Sequence, residues 1–227
     1  MIINTPRYFE RILSVIIALC IPPLLVMIGV RLAMTMTFVS FEYHRPDFPP
    51  DFYGFTLEDR LRYAPYALDY LLNGEDIDFL ANLTFPGGAP LFNNRELRHM
   101  QDVKVITEWA YRAAVGLGIV LIAASGILWM RGRWHLRAGL RAGGLITLAV
   151  IALIIVLAFV SWDIFFTAFH EAFFEGDSWL FLTSDTLIRL FPEQFWFDAA
   201  IFISGTAAIS ATALIVIAQR WKPERNI

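Results

Sequence analysis

Cysteine is almost absent from this chain of 227 residues, in which Cys20 stands alone. A single thiol excludes an intramolecular disulfide and any metal cluster held by several cysteines. The sequence also lacks a glycine-rich phosphate-binding loop and a Gly-x-Ser-x-Gly motif. Nucleotide-driven transport and serine hydrolase chemistry therefore have no support, and we expect no nucleotide or nucleic-acid partner.

Charge is scarce as well, since 17% of the residues are charged and 57% are hydrophobic, with a mean hydropathy of +0.57. Charge-free runs occupy residues 12–30, 113–130, 142–162 and 199–219. Each run approaches the roughly 20 residues that a helix needs to cross a bilayer core. We predict an all-α membrane protein with a single domain over residues 1–227. Its four transmembrane helices are expected at about residues 12–39, 104–130, 141–163 and 198–219.

Basic residues indicate how these helices are oriented. The link from Arg131 to Arg141 is rich in arginine and has no acid, and both chain ends carry a basic excess that includes Lys222 and Arg225. Segments 40–103 and 164–197 are instead rich in Asp and Glu. Because basic residues concentrate in cytoplasmic connections, we predict cytoplasmic N and C termini and two extracytoplasmic segments in a cell-membrane protein.

The two outer segments are dense in aromatic residues, which usually mark a membrane interface. Prolines divide the first segment into short pieces, and Leu57–Leu72 is predicted to be a helix capped by Thr56. The second segment is better interpreted as a shallow re-entrant or interfacial structure than as a solvated loop. Together the two segments are expected to form a helical, aromatic cap.

Two histidines fall at the predicted outer membrane boundary. His99 precedes the second transmembrane helix, and a helix there places Asp102 one turn further on the same face, where its carboxylate would orient the imidazole. His170 follows the third helix among phenylalanines, which shield it from water and favour its neutral, basic form. Antiparallel neighbouring helices would bring the two histidines together. The alternative is that both histidines are structural residues of the membrane interface, with their hydrogen bonds satisfied and no catalytic role.

Other polar residues have both a functional and a structural interpretation. Arg31, near the outer end of the first helix, either holds an anionic group or extends to the lipid headgroups. The zinc-binding motif of metalloproteases is incomplete, because it needs a second histidine four residues after His170 and that residue is Phe174. Zinc held by His99, His170 and a distant carboxylate remains an alternative, although we expect no metal and no other cofactor.

Two sequence blocks resemble the bacterial lipoprotein intramolecular transacylase family. The first is His99-Met100-x-Asp102-Val103-Lys104, at the mouth of the second predicted helix. The second begins as Phe166-x-x-Phe169-His170-x-x-Phe173-Phe174 and continues through Trp179, Phe181, Asp185, Leu187-Ile188, Leu190 and Pro192-x-x-Phe195-Trp196. The resemblance extends over most of the chain, including the four spans and the large first outer segment.

The resemblance implies an acyltransferase of the bacterial cell envelope that acts on diacylglyceryl-modified lipoproteins among the membrane lipids. Such an enzyme moves the sn-2 acyl chain to the α-amino group of the N-terminal cysteine and leaves a lyso-form lipoprotein. His170 and His99 would be the catalytic base and acid, in either order, with Asp102 orienting His99. Glu171 or Asp163 would bind the substrate ammonium, and Trp179 would line the acyl groove.

Two other function classes remain open on the sequence alone. In one, the chain is a non-enzymatic membrane protein whose acidic, aromatic cap binds a partner or a lipid, and His99 and His170 are structural. In the other, it is a metal-dependent membrane hydrolase. Alanine substitution of either histidine separates an enzyme from a binding protein, and sensitivity to chelators identifies a metal enzyme.

Overall fold

The computed structural model describes residues 7–174 and 176–221, and most of this part of the chain is helical. The basic residues Lys222 and Arg225 of the predicted cytoplasmic tail lie outside the described residues. One isolated antiparallel bridge joins Thr84 to Pro90. The helices, in chain order, are α1 (Arg7–Ala33), α2 (Met36–Tyr43), α3 (Leu57–Leu72), α4 (Asp78–Ala81), α5 (Asn94–Arg131), α6 (Arg133–Val160), α7 (Trp162–Phe173), α8 (Thr186–Leu190) and α9 (Glu193–Arg220).

Four of these helices, α1, α5, α6 and α9, are long and apolar enough to cross a membrane, which confirms the predicted fold class. All four helices begin before the predicted spans, and two of the predicted spans also contain a break. The first predicted span, 12–39, contains a break, because Thr35 adopts an extended conformation and its side chain caps α2 by accepting from the Phe38 backbone N–H. The third predicted span, 141–163, extends past the end of α6, because Ser161 caps the separate helix α7.

The chain divides into two compact units. The prediction of a single domain stays untested. The first unit comprises residues 1–30, 111–156 and 202–227. In its described part, apolar side chains of α1, α5 and α6 form a buried core that includes Ile17 and Leu128. Gly139 allows a close approach of α6 to α1, because a Cβ atom at this position would lie 2.7 Å from the Ser14 carbonyl oxygen. Small residues serve this purpose where membrane helices pack.

The second unit comprises residues 31–110 and 157–201 and contains both blocks of the family resemblance. Helix α3 begins as predicted, since Thr56 and Asp59 form a reciprocal capping box. Buried polar contacts join distant segments of this unit: the Tyr43 hydroxyl donates to the Leu190 carbonyl at 2.7 Å, and Arg189 pairs with Asp51 at 3.0 Å. These contacts join α2 and the segment after it to α8.

Helix α7 leaves several large apolar side chains open to the surroundings of the protein. Ile164, Phe169 and Phe173 are 71%, 49% and 52% exposed. A helix with such exposed apolar side chains is suited to lie in the membrane interface, where they can contact the acyl chains. The interfacial placement predicted for the second outer segment remains a prediction that agrees with this exposure.

Candidate active site

The structure brings His99 and His170 together within the second unit. His99 lies in the second turn of α5, and His170 lies near the C-terminal end of α7. Their ring centroids are 6.3 Å apart, and the ring planes are inclined by 23°. At this separation both imidazoles can reach one substrate.

Aromatic side chains enclose the histidine pair. The Phe174 ring contacts both imidazoles, with centroids 4.9 Å from His99 and 5.6 Å from His170. Phe181 packs edge-on against His99 at 5.2 Å, and Trp179 stacks on His170 at 4.8 Å. Such an environment excludes water and accepts lipid chains, which suits a reaction at an acyl ester.

His170 has a defined tautomer when it is neutral. Its Nδ1 atom lies 2.8 Å from the Phe166 carbonyl oxygen, which can only accept a hydrogen bond, so Nδ1 carries the proton. The Nε2 atom then holds a free lone pair and is the basic nitrogen. Burial lowers the pKa of His170 below its usual value, although the bond to Phe166 opposes this shift. His170 is therefore neutral at physiological pH and able to accept a proton.

His99 is held by packing. Its Nδ1 atom is buried and has no hydrogen-bond partner in the structure. The predicted contact with Asp102 is absent among the described residues, because the Asp102 carboxylate accepts a hydrogen bond from the Ser178 hydroxyl at 3.3 Å. The expectation that Asp102 directly orients His99 is thus corrected. Asp102 instead ties α5 to the segment that carries Trp179.

The segment between α7 and α8 carries Trp179 and Phe181, and the first turns of α5 anchor it. Besides the Ser178 contact, the Arg95 guanidinium donates to the Leu180 carbonyl at 2.8 Å. Glu96 accepts the Leu187 backbone N–H at 2.6 Å. These anchors were missed in the sequence, where they look like ordinary charges near a helix start. The only available signal is that they come within one or two turns of His99.

The remaining predicted site residues are more peripheral. Asp163 and Glu171 lie on α7 with exposed side chains. Asp163 precedes His170 by two helical turns, and Glu171 is its neighbour in sequence. Arg31 is exposed near the end of α1, where its guanidinium donates weakly to the Met34 carbonyl at 3.4 Å. Within the described residues, no hydrogen bond or ion pair joins any of these three to a histidine ring.

Residues 7–174 and 176–221 show no cluster of side chains suited to bind a metal ion. Among them, no three His, Cys, Asp or Glu side chains are grouped closely enough to hold a metal ion. The two histidines of the site are accompanied by aromatic rings, which do not serve as metal ligands. The arrangement is suited to proton transfer in a water-poor enclosure.

Comparison with known proteins identifies a family and a fold. The family model described as lipoprotein intramolecular transacylase Lit matches residues 15–196. An uncharacterized protein of Aquifex aeolicus (strain VF5) is 28% identical over 197 residues, which cover 86% of this chain and 88% of that protein.

Solved structures share the fold. The in meso structure of the membrane integral lipoprotein intramolecular transacylase Lit from Bacillus cereus is similar with a TM-score of 0.79 at 17% identity, covering 95% of this chain and 96% of that one. A histidine-to-alanine variant of the same protein has a TM-score of 0.73 at 17% identity, covering 94% and 93%.

Proposed function

The chain belongs to the lipoprotein intramolecular transacylase family, and from this we propose the reaction and the residues that perform it. The protein is an integral membrane acyltransferase with four helical spans. The proposed reaction moves the sn-2 acyl chain of a diacylglyceryl lipoprotein to the α-amino group of its N-terminal cysteine, and a lyso-form lipoprotein results. The observation that carries this proposal is the pair of histidines in one aromatic enclosure.

His170 acts as the general base in this proposal. Its Nε2 lone pair is free because Nδ1 is bound to the Phe166 carbonyl, and its lowered pKa keeps the ring neutral. The substrate amine must lose a proton as it attacks the ester carbonyl, and a neutral imidazole within reach accepts this proton. The geometry thereby supports one of the two histidine assignments that the sequence left open.

His99 acts as the hydrogen-bond donor and acid. Its ring centroid lies 6.3 Å from that of His170, so both rings can reach the tetrahedral carbon of one substrate. His99 donates to the departing glycerol oxygen, which needs a proton when the ester bond breaks. The reaction requires no external energy source, because an ester already stores the free energy for forming an amide. Positioning of the amine beside its own ester supplies much of the rate.

Substrate binding involves the polar side of α7 and the aromatic enclosure. Glu171 or Asp163 binds the cysteine ammonium before deprotonation, and their exposed carboxylates are accessible for this purpose. Trp179 and the phenylalanines line the groove that holds the acyl chains. Arg31 interacts with headgroups at the membrane surface. We place the site on the extracytoplasmic side and both termini in the cytoplasm, on the support of the basic links and the acidic outer segments.

Mass spectrometry of a lipoprotein's N-terminal peptide tests the proposal. The chain is co-expressed with a model lipoprotein in a host whose lipoproteins stop at the diacylglyceryl stage. Fragmentation then shows whether one acyl chain has moved from glycerol to the cysteine nitrogen. We expect the N-acyl lyso-form with the unaltered chain and the diacyl form with His99→Ala or His170→Ala.

His44→Ala is the matched control, because His44 is an exposed histidine whose ring bonds only within its own turn, to Ser40. It should retain activity. A diacyl product with the unaltered chain, despite confirmed membrane insertion, would overturn the proposed function. Activity that survives both site substitutions would overturn the two-histidine assignment alone.

A further inference from the structure

Trp179 contributes an unused hydrogen-bond donor to the site. Its indole Nε1–H is buried and has no acceptor in the structure. The ring itself is stacked on His170, with centroids 4.8 Å apart and an inclination of 29°. A buried donor without a partner lowers stability, so an acceptor brought by a substrate would relieve this cost. Trp179 is therefore more than an apolar wall.

We propose that the indole N–H of Trp179 donates a hydrogen bond to the carbonyl oxygen of the acyl ester as negative charge develops on it. This inference rests on the proposed function and adds a catalytic role for a third side chain. The carbonyl oxygen is an acceptor with no other donor assigned to it, since His170 takes a proton and His99 serves the glycerol oxygen.

The segment that carries Trp179 is held firmly, as an oxyanion donor requires. Ser178, the preceding residue, is bound to Asp102 of α5, and the carbonyl of Leu180, the following residue, accepts from Arg95. The chain is thus fixed on both sides of the tryptophan before substrate binds. Donors held in place in a low-dielectric site stabilise developing charge without a cost of reorganisation.

The reaction balances with this assignment. The amine nitrogen forms a bond to the ester carbonyl carbon, the carbonyl electron pair moves onto oxygen, and His170 accepts one proton from nitrogen. The oxyanion is then bound by the Trp179 N–H. When the carbonyl re-forms, the bond from carbon to the glycerol oxygen breaks, that oxygen takes a proton from His99, and the proton held on His170 then restores His99. One proton has moved from nitrogen to oxygen, and no oxidant or cofactor takes part.

The nitrogen is covered in the structure, so a substrate has to move a covering group to reach the N–H. The acyl ester brings apolar chains that refill this space. The covered state also keeps water away from the donor before substrate arrives, which preserves its strength toward the oxyanion.

Replacement of the indole nitrogen tests this proposal. In Trp179→3-benzothienylalanine, sulfur replaces the N–H while the size and shape of the double ring are retained. Purified full-length chains are assayed in detergent or lipid with a diacylglyceryl lipopeptide, and kcat and KM are measured separately. We expect kcat to fall about 100-fold, as when one oxyanion donor is removed, with KM within about twofold.

Trp162→3-benzothienylalanine is the matched control, since the Trp162 indole N–H is also buried without an acceptor but its ring packs on Phe197. It should keep kcat. Trp179→3-benzothienylalanine with unchanged kcat would overturn the proposal and leave Trp179 as a wall of the groove. An equal loss in both variants would overturn it too. An unaltered chain without acyl transfer would instead overturn the proposed function, so the two failures are distinguishable.

Discussion

The Glu96 carboxylate on the first turn of α5 accepts the backbone N–H of Leu187 on the first turn of α8, at 2.6 Å. Its second oxygen accepts the Asn93 backbone N–H at 2.7 Å. The side chain is almost fully buried, at 1% exposure. Glu96 thereby fixes the end of the segment that places Trp179 and Phe181 against the histidines.

Glu96→Ala should lower both stability and activity. The substitution leaves the N–H groups of Leu187 and Asn93 without their acceptor, at a cost of about 1–3 kcal/mol for each group that stays buried. We expect a lower unfolding temperature in detergent and a fall in kcat. Glu58→Ala, which removes an exposed acid from α3, is the control and should change neither. Unchanged stability of Glu96→Ala would contradict a clamping role.

Activity should depend on pH through His170 at an unusually acidic value. Burial lowers the pKa of His170, so the base loses function only when the pH falls below the usual 6.5. The substrate α-amine titrates near about 8. A plot of log kcat/KM against pH should therefore have a slope of one below about pH 8 and of two only below pH 6.5. A second break at or above pH 6.5 would argue against a shielded base.

Ser178→Ala should slow the reaction mildly. The Ser178 hydroxyl donates to Asp102, and this contact joins the residue before Trp179 to α5. A hydrogen bond of this type contributes about 0.5–1.5 kcal/mol, so kcat should fall by about two- to tenfold. Kinetics of acyl transfer with purified protein measure this. Ser184→Ala, at an exposed position of the same segment, should match the unaltered chain. Equal rates in the two variants would show that the contact does not position the site.

Sequence patterns predicted the four long helices and the start of α3, because both depend on local information. An apolar run of sufficient length forms a spanning helix in any context, and the capping box of Thr56 and Asp59 forms within one turn. The proximity of His99 and His170 was also anticipated, since both were expected at the same side of the membrane.

The anchors of the site could not be predicted in the same way. Glu96 and Asp102 look alike in sequence, as acids near His99, yet Glu96 binds the backbone of α8 and Asp102 binds Ser178. Their partners lie 91 and 76 residues away in the chain. Contacts of such separation depend on tertiary structure, so the incorrect Asp102–His99 assignment arose from helical spacing alone. The break at Thr35 was missed because a threonine interrupts an apolar run only weakly.

Arg45 should be required for stability of the second unit. It contacts two buried acids, Glu42 at 3.1 Å and Asp198 at 3.0 Å. Arg45→Met leaves these carboxylates without their cation, so we expect a loss of about 2 kcal/mol or more. The triple variant that adds Glu42→Gln and Asp198→Asn removes both charges and should recover part of the loss. Thermal unfolding measures both variants. No recovery would show that Arg45 acts by packing and not by charge.

Gly139→Ala should destabilise the packing of α6 against α1. An added Cβ would lie 2.7 Å from the Ser14 carbonyl oxygen, and a backbone atom cannot move aside without displacing the helix. We therefore expect a lower unfolding temperature in detergent. Gly126→Ala is the matched control in α5, because a Cβ there meets nothing within 4 Å, and alanine favours the helix over glycine. A chain that tolerates both substitutions equally would show that α6 and α1 are not in close contact at Gly139, whereas a loss confined to Gly139→Ala supports the packing described here.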